Sequence, residues 1–511
     1  MRAREVKIVN NGIPAVEPSP SEEDVTRACQ TYGVRLRERY QQLDLEVLTP
    51  LSEQDEHPAM RLGEVFVAQH VRADPPPVEL PRELLRRLVE AGEVDASDLP
   101  PGVEPDMVRR VRQAYLERPA LPVLEVLTKP DADRVVLLGD PGAGKSTLAR
   151  YVALSLTANS PVQGLEALAG WVPLLVELRI YAEAGWRERT FEDFLHHLHA
   201  TEGLGLPAPV LEKCLNGNGQ VVVVFDGLDE LFDPQVREAV TNRIAGFASR
   251  NPQARILVTS RVIGYQRSIL DGAGFSHFML QDLDNEQIRQ FVTRWYESSC
   301  PDDPVRVRQL CRRVTDAVEH SASVRELAGN PLILTILTII GRRRELPRDR
   351  RTVYQHAVSV LVEQWDPNKR LKDRVEESMP YLGSEDRQEL LQLVARRMQE
   401  GQGGIAGNHI PGPDLLNTFT GYLRERYELP PDRAIAAARV MLQQLRERNF
   451  VLSRYGGEVY GFVHRTFLEY LAATDIAHRF NEERSLSPDG SSTVCSPGAG
   501  KTRLGAKSCY Y

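Results

Sequence analysis

Apolar positions change their rhythm three times along the chain. From 21 to 40 they recur at helical spacing, with Val25, Ala28, Tyr32, Leu36 and Tyr40 on one face, the stripe that a helix buries against a core. Ser21 stands at the N-cap position, and Glu22, Glu23 and Asp24 put negative charge into the first turn, where the helix dipole favours it. Leu62-Gly63-Glu64-Val65-Phe66-Val67 reads as a short strand, and Ala73-Asp74-Pro75-Pro76-Pro77 then breaks the chain. Residues 78–118 read as helical with an interruption at Pro100-Pro101. From 134 the rhythm becomes short, unbroken apolar runs at 134–138, 172–178, 221–225 and 256–260. Strands covered on both faces need such runs, and helical segments between them imply a parallel sheet. After about 280 the pattern is helical again, apart from a hairpin at 450–462 centred on Gly456-Gly457.

Composition narrows the class. The chain has 511 residues, which at roughly 150 residues per domain suggests three or four domains. It is 42% hydrophobic and 26% charged, which excludes collagen-like, disulfide-scaffold and mostly disordered classes. The net charge of −8 gives no support for a nucleic-acid binder. The basic run Arg342-Arg343-Arg344 with Arg348, Arg350 and Arg351 has no interleaved aromatics and reads as a solvated linker. No stretch is apolar enough for a membrane span, and the charged N-terminus carries no secretory signal. With six scattered cysteines and no CxxC pair, the expected location is cytoplasmic.

The chemistry begins after the run 134–138. Gly139-Asp140-Pro141-Gly142-Ala143-Gly144-Lys145-Ser146 matches GxxxxGK[ST], between a strand and a helix of about 145–157. Glycines let backbone N–H groups curl around phosphate oxygens, and the helix N-terminus adds positive potential. Lys145 is expected on the β- and γ-phosphates, Ser146 on Mg²⁺, and Thr147 near the α-phosphate. A half-match at Gly498-Ala499-Gly500-Lys501-Thr502 has Cys495 in place of the first glycine and no strand before it, so it reads as coincidence.

A second element is Val221-Val222-Val223-Val224-Phe225-Asp226-Gly227-Leu228-Asp229-Glu230. A buried strand delivers Asp226 to the C-terminal sheet edge, where open α/β folds bind ligands. Asp226 is expected to hold Mg²⁺. Either Asp229 or Glu230 can orient or deprotonate the attacking water; Glu230 is assigned to the water and Asp229 to the metal shell. Thr259-Ser260-Arg261 ends the next strand, and Arg261 there can meet charge developing on a γ-phosphate.

Together these residues resemble the NACHT family of signal-transducing (STAND) P-loop NTPases. The distinguishing string is Asp226-Gly227-Leu228-Asp229-Glu230. Leu283, Glu286, Gln287, Ile288, Phe291, Val292 and Trp295-Tyr296 resemble the family's first helix after the NTPase. Gly329-Asn330-Pro331-Leu332 resembles its GxP-type motif, and Leu346-Pro347 with Arg351 and Tyr354 its junction into the winged helix. Residues 462–473, from Phe462-Val463-His464-Arg465 onward, resemble the winged-helix signature. More weakly, Tyr40, Leu43-Asp44-Leu45 and Val65-Phe66-Val67 resemble the segment before the NTPase in bacterial members.

The resemblance implies an α/β P-loop NTPase domain, a parallel sheet with helices on both faces. A helical domain and a winged-helix domain follow, and a mostly helical N-terminal region precedes it. The expected boundaries are a flexible tail at 1–20, the N-terminal region at 21–120, the NTPase at 121–280, the helical domain at 281–345, the winged helix with flanking helices at 346–480, and a disordered or non-native tail at 481–511. It also implies that Pro331 packs near adenine and that His464 contacts the β-phosphate of ADP, locking a closed form. The sensor repeats usual after the winged helix are not recognisable.

The function expected is a nucleotide-dependent ATPase switch. An ADP-bound closed monomer would open and self-associate with ATP on an unknown trigger, signalling to an unknown effector, in bacterial immunity against phage. The alternatives are a constitutive AAA+-like ATPase and a scaffold that holds nucleotide without hydrolysis. A GTPase is disfavoured because no NKxD string follows the acidic strand.

Overall fold

The computed structural model describes residues 19–43, 60–76, 105–140, 142–158, 160–182, 186–217, 220–231, 234–261, 265, 267–343, 346, 350–364, 381–400, 410–447, 452–454, 459–462 and 465–480. Residues 1–18 and 481–511 of the expected tails, all of 78–104, the hairpin glycines Gly456-Gly457, and two site residues, Pro141 and His464, lie outside them.

The unbroken apolar runs form four adjacent strands of a seven-stranded sheet, out to one edge. Its strands are β1 (His70–Ala73), β2 (Leu121–Pro122), β3 (Arg134–Leu138), β4 (Val172–Glu177), β5 (Val221–Asp226), β6 (Arg255–Ser260) and β7 (Ser276–Leu280), in spatial order β2-β1-β7-β3-β6-β5-β4. The pairs β7–β3, β3–β6, β6–β5 and β5–β4 are parallel, while β1 pairs antiparallel with both β7 and β2. Side chains alternate faces along a strand. Val221, Val223 and Phe225 therefore enter one apolar cluster, and Val222 and Val224 enter another on the opposite face. Helices cover both faces, so every position of β5 is buried.

The helix Glu22–Tyr40 forms as its pattern dictates. The Ser21 hydroxyl accepts the Asp24 N–H at 3.1 Å, and the Asp24 carboxylate accepts the Ser21 N–H at 3.2 Å, which satisfies two end groups reciprocally. Tyr32 and Leu36 are buried in the NTPase core, with Val25, Ala28 and Tyr40 packed at its margin. Burying the two contributes about 1.5–3 kcal/mol each. This N-terminal helix is thus built into the NTPase body.

Residues 62–67 are not a strand. Leu62–Val65 is a short helix, and strand pairing starts only at His70. The reason is spacing. Leu62, Val65 and Phe66 stand at i, i+3 and i+4, a helical set; Leu62 and Phe66 pack on the sheet, while Val65 and Val67 join the helical half. The strand that does form, β1, extends the sheet beyond the boundary expected at 121. Its partner β7 is absent from the pattern reading because Ser276-His277-Phe278-Met279-Leu280 carries no β-branched residue.

Beyond β7 the chain is helical through Asn285–Ser299, Pro304–His320, Ala322–Ala328, Pro331–Arg343, Arg350–Gln364, Ser384–Glu400, Gly412–Tyr427, Pro431–Glu447 and Arg465–His478. The expected hairpin is present as β9 (Leu452–Arg454) with β10 (Val459–Phe462), and β8 (Ile410–Pro411) pairs on the other edge of β10. One apolar cluster runs from the first of these helices to the last. Among the described residues no helix is long and apolar enough to cross a membrane.

Candidate nucleotide site

The loop between β3 and the helix Lys145–Leu156 turns on two glycines with positive φ, Gly142 at 74° and Gly144 at 84°. Only glycine adopts such angles without strain. A Cβ on Gly142 would also stand 2.9 Å from Asn330 Oδ1 and 3.0 Å from Leu332 Cβ. Gly139 and Ala143 donate their N–H groups to Ser260 O and Asp140 O, at 3.2 and 3.1 Å. The Lys145 ammonium folds back onto its own loop, 2.7 Å from Gly139 O and 3.0 Å from Asp140 O. Desolvation draws its pKa below the ordinary lysine value, and the charge of Asp229 partly restores it. Thr147 is exposed in the first helical turn.

The sheet order places the two acidic and phosphate elements. β6 lies between β3 and β5, so the loop and Asp226 start from strands about 9–10 Å apart. Ser146 spans the gap, donating to Asp226 Oδ1 at 3.1 Å. Thr259 on β6 donates to the same oxygen at 2.5 Å and accepts the Gly227 N–H at 2.9 Å. Burial raises the Asp226 pKa, and those two hydroxyl bonds oppose the rise. A hydroxyl and a carboxylate are hard oxygen donors, a chemistry that fits Mg²⁺. Such sites take one or two carboxylates and leave the remaining ligands to substrate phosphates.

Asp229 is paired with Arg261. Both its oxygens serve Arg261, one 2.7 Å from Nε and the other accepting the Arg261 N–H at 3.1 Å. Both side chains are about nine-tenths buried. The pair orients the guanidinium at the sheet edge. Glu230 lies on the other side of the turn, half-buried, with its carboxylate 3.7 Å from Arg179 Nε. Burial first, then the charges of Asp229 and Asp226, push its pKa up to about 7.

Gly227 makes this turn. Its φ of 83° folds the chain into the short helix Leu228–Glu230, and a Cβ there would lie 3.1 Å from Glu230 Cδ. Gly227→Ala is expected to destabilise the fold by about 1–2 kcal/mol and to displace the Glu230 carboxylate. Thermal denaturation with parallel turnover assays checks this; a wild-type midpoint with wild-type turnover would refute it.

Residues far along the chain complete the site. The N-terminus of Pro331–Arg343 rests on the loop: Leu332 donates to Gly142 O at 3.2 Å, and Asn330 Oδ1 accepts the Leu332 N–H at 3.0 Å. Pro331 faces Gly144 across about a side-chain contact, 3.8 Å from the position of a Cβ there. Gln69 is buried beside the same glycine, its amide donating to Gln281 O at 3.1 Å. At the far side Glu177 ends β4 in register with Asp226 and pairs with Arg150 at 3.1 Å. Gln69, Arg150, Glu177 and Arg179 were not identified from sequence. Only Glu177 carries a signal there, an acid closing an apolar run as Asp226 does.

A glycine loop, its lysine, and a serine–aspartate pair at the C-terminal edge of a parallel sheet define a P-loop NTPase. Residues 133–299 match the model of the NACHT domain, and residues 350–476 match that of the winged helix-turn-helix domain C-terminal to NACHT. Together the matches cover more than half of the chain, which belongs to the NACHT family of nucleotide-binding STAND NTPases. None of the curated proteins compared with it matches.

Proposed function

We propose that this chain is an ATP-driven switch whose nucleotide state sets the arrangement of its domains. The observation that carries the reading is the seating of the Pro331–Arg343 helix on the phosphate loop through Leu332, Asn330 and Gly142. A phosphate bound in the loop cannot move Gly142 without moving that helix. The helix shares one apolar cluster with the winged-helix half, so the displacement has a rigid path.

Lys145 exchanges the carbonyls of Gly139 and Asp140 for β- and γ-phosphate oxygens. Gly142 and Gly144 turn the loop around the phosphates, and Thr147 lies at the α-phosphate. Ser146 and Asp226 would hold Mg²⁺, which when bound neutralises charge between the phosphates. Glu230 accepts a proton from the water that attacks the γ-phosphorus, and the bond to the β–γ bridging oxygen breaks to give ADP and phosphate. Arg261, held by Asp229, faces the charge on the γ-oxygens.

The family resemblance extends the proposal. Pro331 would border the adenine, and His464 would contact the ADP β-phosphate and keep the chain closed and monomeric. ATP with a trigger would open it for self-association, in cytoplasmic defence against phage. Extracting nucleotide from the purified protein, with light scattering on the same sample, tests the reading. Tightly held ADP on a monomer is the expected result; an empty site with fast turnover, or a preformed ring, would overturn it in favour of a constitutive ATPase.

A further inference from the structure

The helix Glu22–Tyr40 lies outside the residues matched by the NACHT domain, yet its last residue reaches the catalytic edge of the sheet. Tyr40 donates its hydroxyl to Glu177 Oε2 at 3.2 Å, and its ring lies 5.2 Å from the Arg150 guanidinium carbon. Arg150 Nη2 pairs with the other oxygen of Glu177 at 3.1 Å. Two groups from two separate helices therefore close on the carboxylate at the end of β4.

That carboxylate is one strand away from the proposed metal ligand. Glu177 and Asp226 are register partners on parallel strands, whose backbones lie about 4.8 Å apart. Like charges so placed repel, and Arg150 takes up the charge of Glu177. The phosphate-loop helix repeats the pairing. Ser146 and Arg150 stand at i and i+4 on one face, with Ser146 on Asp226 and Arg150 on Glu177. The two rungs tie one helix to the ends of two neighbouring strands. Tyr40 braces the outer rung from the N-terminal helix. That helix is anchored independently, by Tyr32 and Leu36 in the core, by Arg37 donating to Thr157 O, and by Lys213 donating to Pro20 O.

We propose that Tyr40 is a positioning residue that couples docking of the N-terminal helix to the Mg²⁺–nucleotide site through Glu177 and Arg150. The proposal rests on the nucleotide reading above. Without the Tyr40 hydroxyl the Glu177–Arg150 pair loses one of its braces, and the neighbouring Ser146–Asp226 pair loses its fixed geometry. Linkage makes the effect reciprocal: a ligand that firms up Ser146 and Asp226 firms up the helix by the same factor. Events at the N-terminal helix are thereby read at the nucleotide, and nucleotide state is reported to the segment that precedes the NTPase.

The test uses the full chain, with ADP binding by calorimetry in Mg²⁺ and in EDTA, and hydrogen exchange of amides 22–40. For the wild type, Mg²⁺–ADP should raise protection across 22–40. Tyr40→Phe should weaken Mg²⁺–ADP binding by about 3- to 10-fold, a part of the effect of losing one hydrogen bond to a charged group, because Tyr40 acts on the site through Glu177. It should leave ADP affinity in EDTA unchanged and abolish the ligand-linked protection. Glu177→Gln, which keeps the size of the side chain, should reproduce the pattern. Wild-type Mg²⁺–ADP affinity in both variants would overturn the coupling, as would equal losses with and without Mg²⁺. A wild-type chain that binds no ADP would overturn the nucleotide reading itself, which separates the two failures.

Discussion

Lys145→Ala should lose nucleotide binding by at least about 100-fold. The expected loss is that of charge-assisted hydrogen bonds to phosphate oxygens, at about 1.5–3 kcal/mol each. The fold should survive the change. Lys145 is half-buried, and its ammonium bonds only main-chain carbonyls of its own loop, at Gly139 and Asp140. Its depressed pKa says that the cation is already penalised by desolvation; of the carboxylates near it, Asp229 is held by Arg261, and Asp226 by Ser146 and Thr259. Titration with a fluorescent ADP analogue, beside a thermal melt, measures both quantities. An affinity within about twofold of wild type would remove the phosphate-loop assignment.

Glu230→Gln should separate binding from chemistry. Glutamine keeps the volume packed against Gly227 but cannot accept a proton. ADP affinity should therefore stay near wild type, while turnover falls by about 10²–10⁴, the usual range for a general base. Normal turnover would exclude Glu230 from the chemistry. The wild type supplies a second test. With the Glu230 pKa pushed up to about 7, its base form is the minority below that pH. The value of kcat/KM, which reports groups of the free enzyme, should rise with pH through about 7 and level off above. In Glu230→Gln that acid limb should be gone; a limb unchanged by the substitution would assign it to another group.

These predictions draw on features legible to different degrees. Asp226 and Glu230 stand out in the chain because an unbroken apolar run marks a buried strand, and carboxylates cluster where it ends beside a phosphate-loop motif. The partner of Asp229 is not legible there. Which guanidinium a carboxylate meets depends on what the neighbouring strand delivers, and Arg261 follows the end of β6, 32 residues away. The helix at 22–40 was readable from its cap and stripe, but the stripe does not say which core receives it. The 62–67 segment was misread because its apolar residues serve two bodies at once, which blurs any single period.

Local chemistry written in consecutive residues was determined by the sequence alone. It comprises the positive-φ glycines of the phosphate loop, the lysine and serine after them, the acidic strand end, and the helix caps, and each depends on neighbours within a turn or two. The tertiary structure alone decided which distant elements share the sheet edge. Parallel strands meet only through long crossovers, so the register that sets Glu177 beside Asp226, the seat of Leu332 on Gly142, and the reach of Tyr40 to Glu177 arise when separate apolar faces pack together, and no local pattern encodes that pairing.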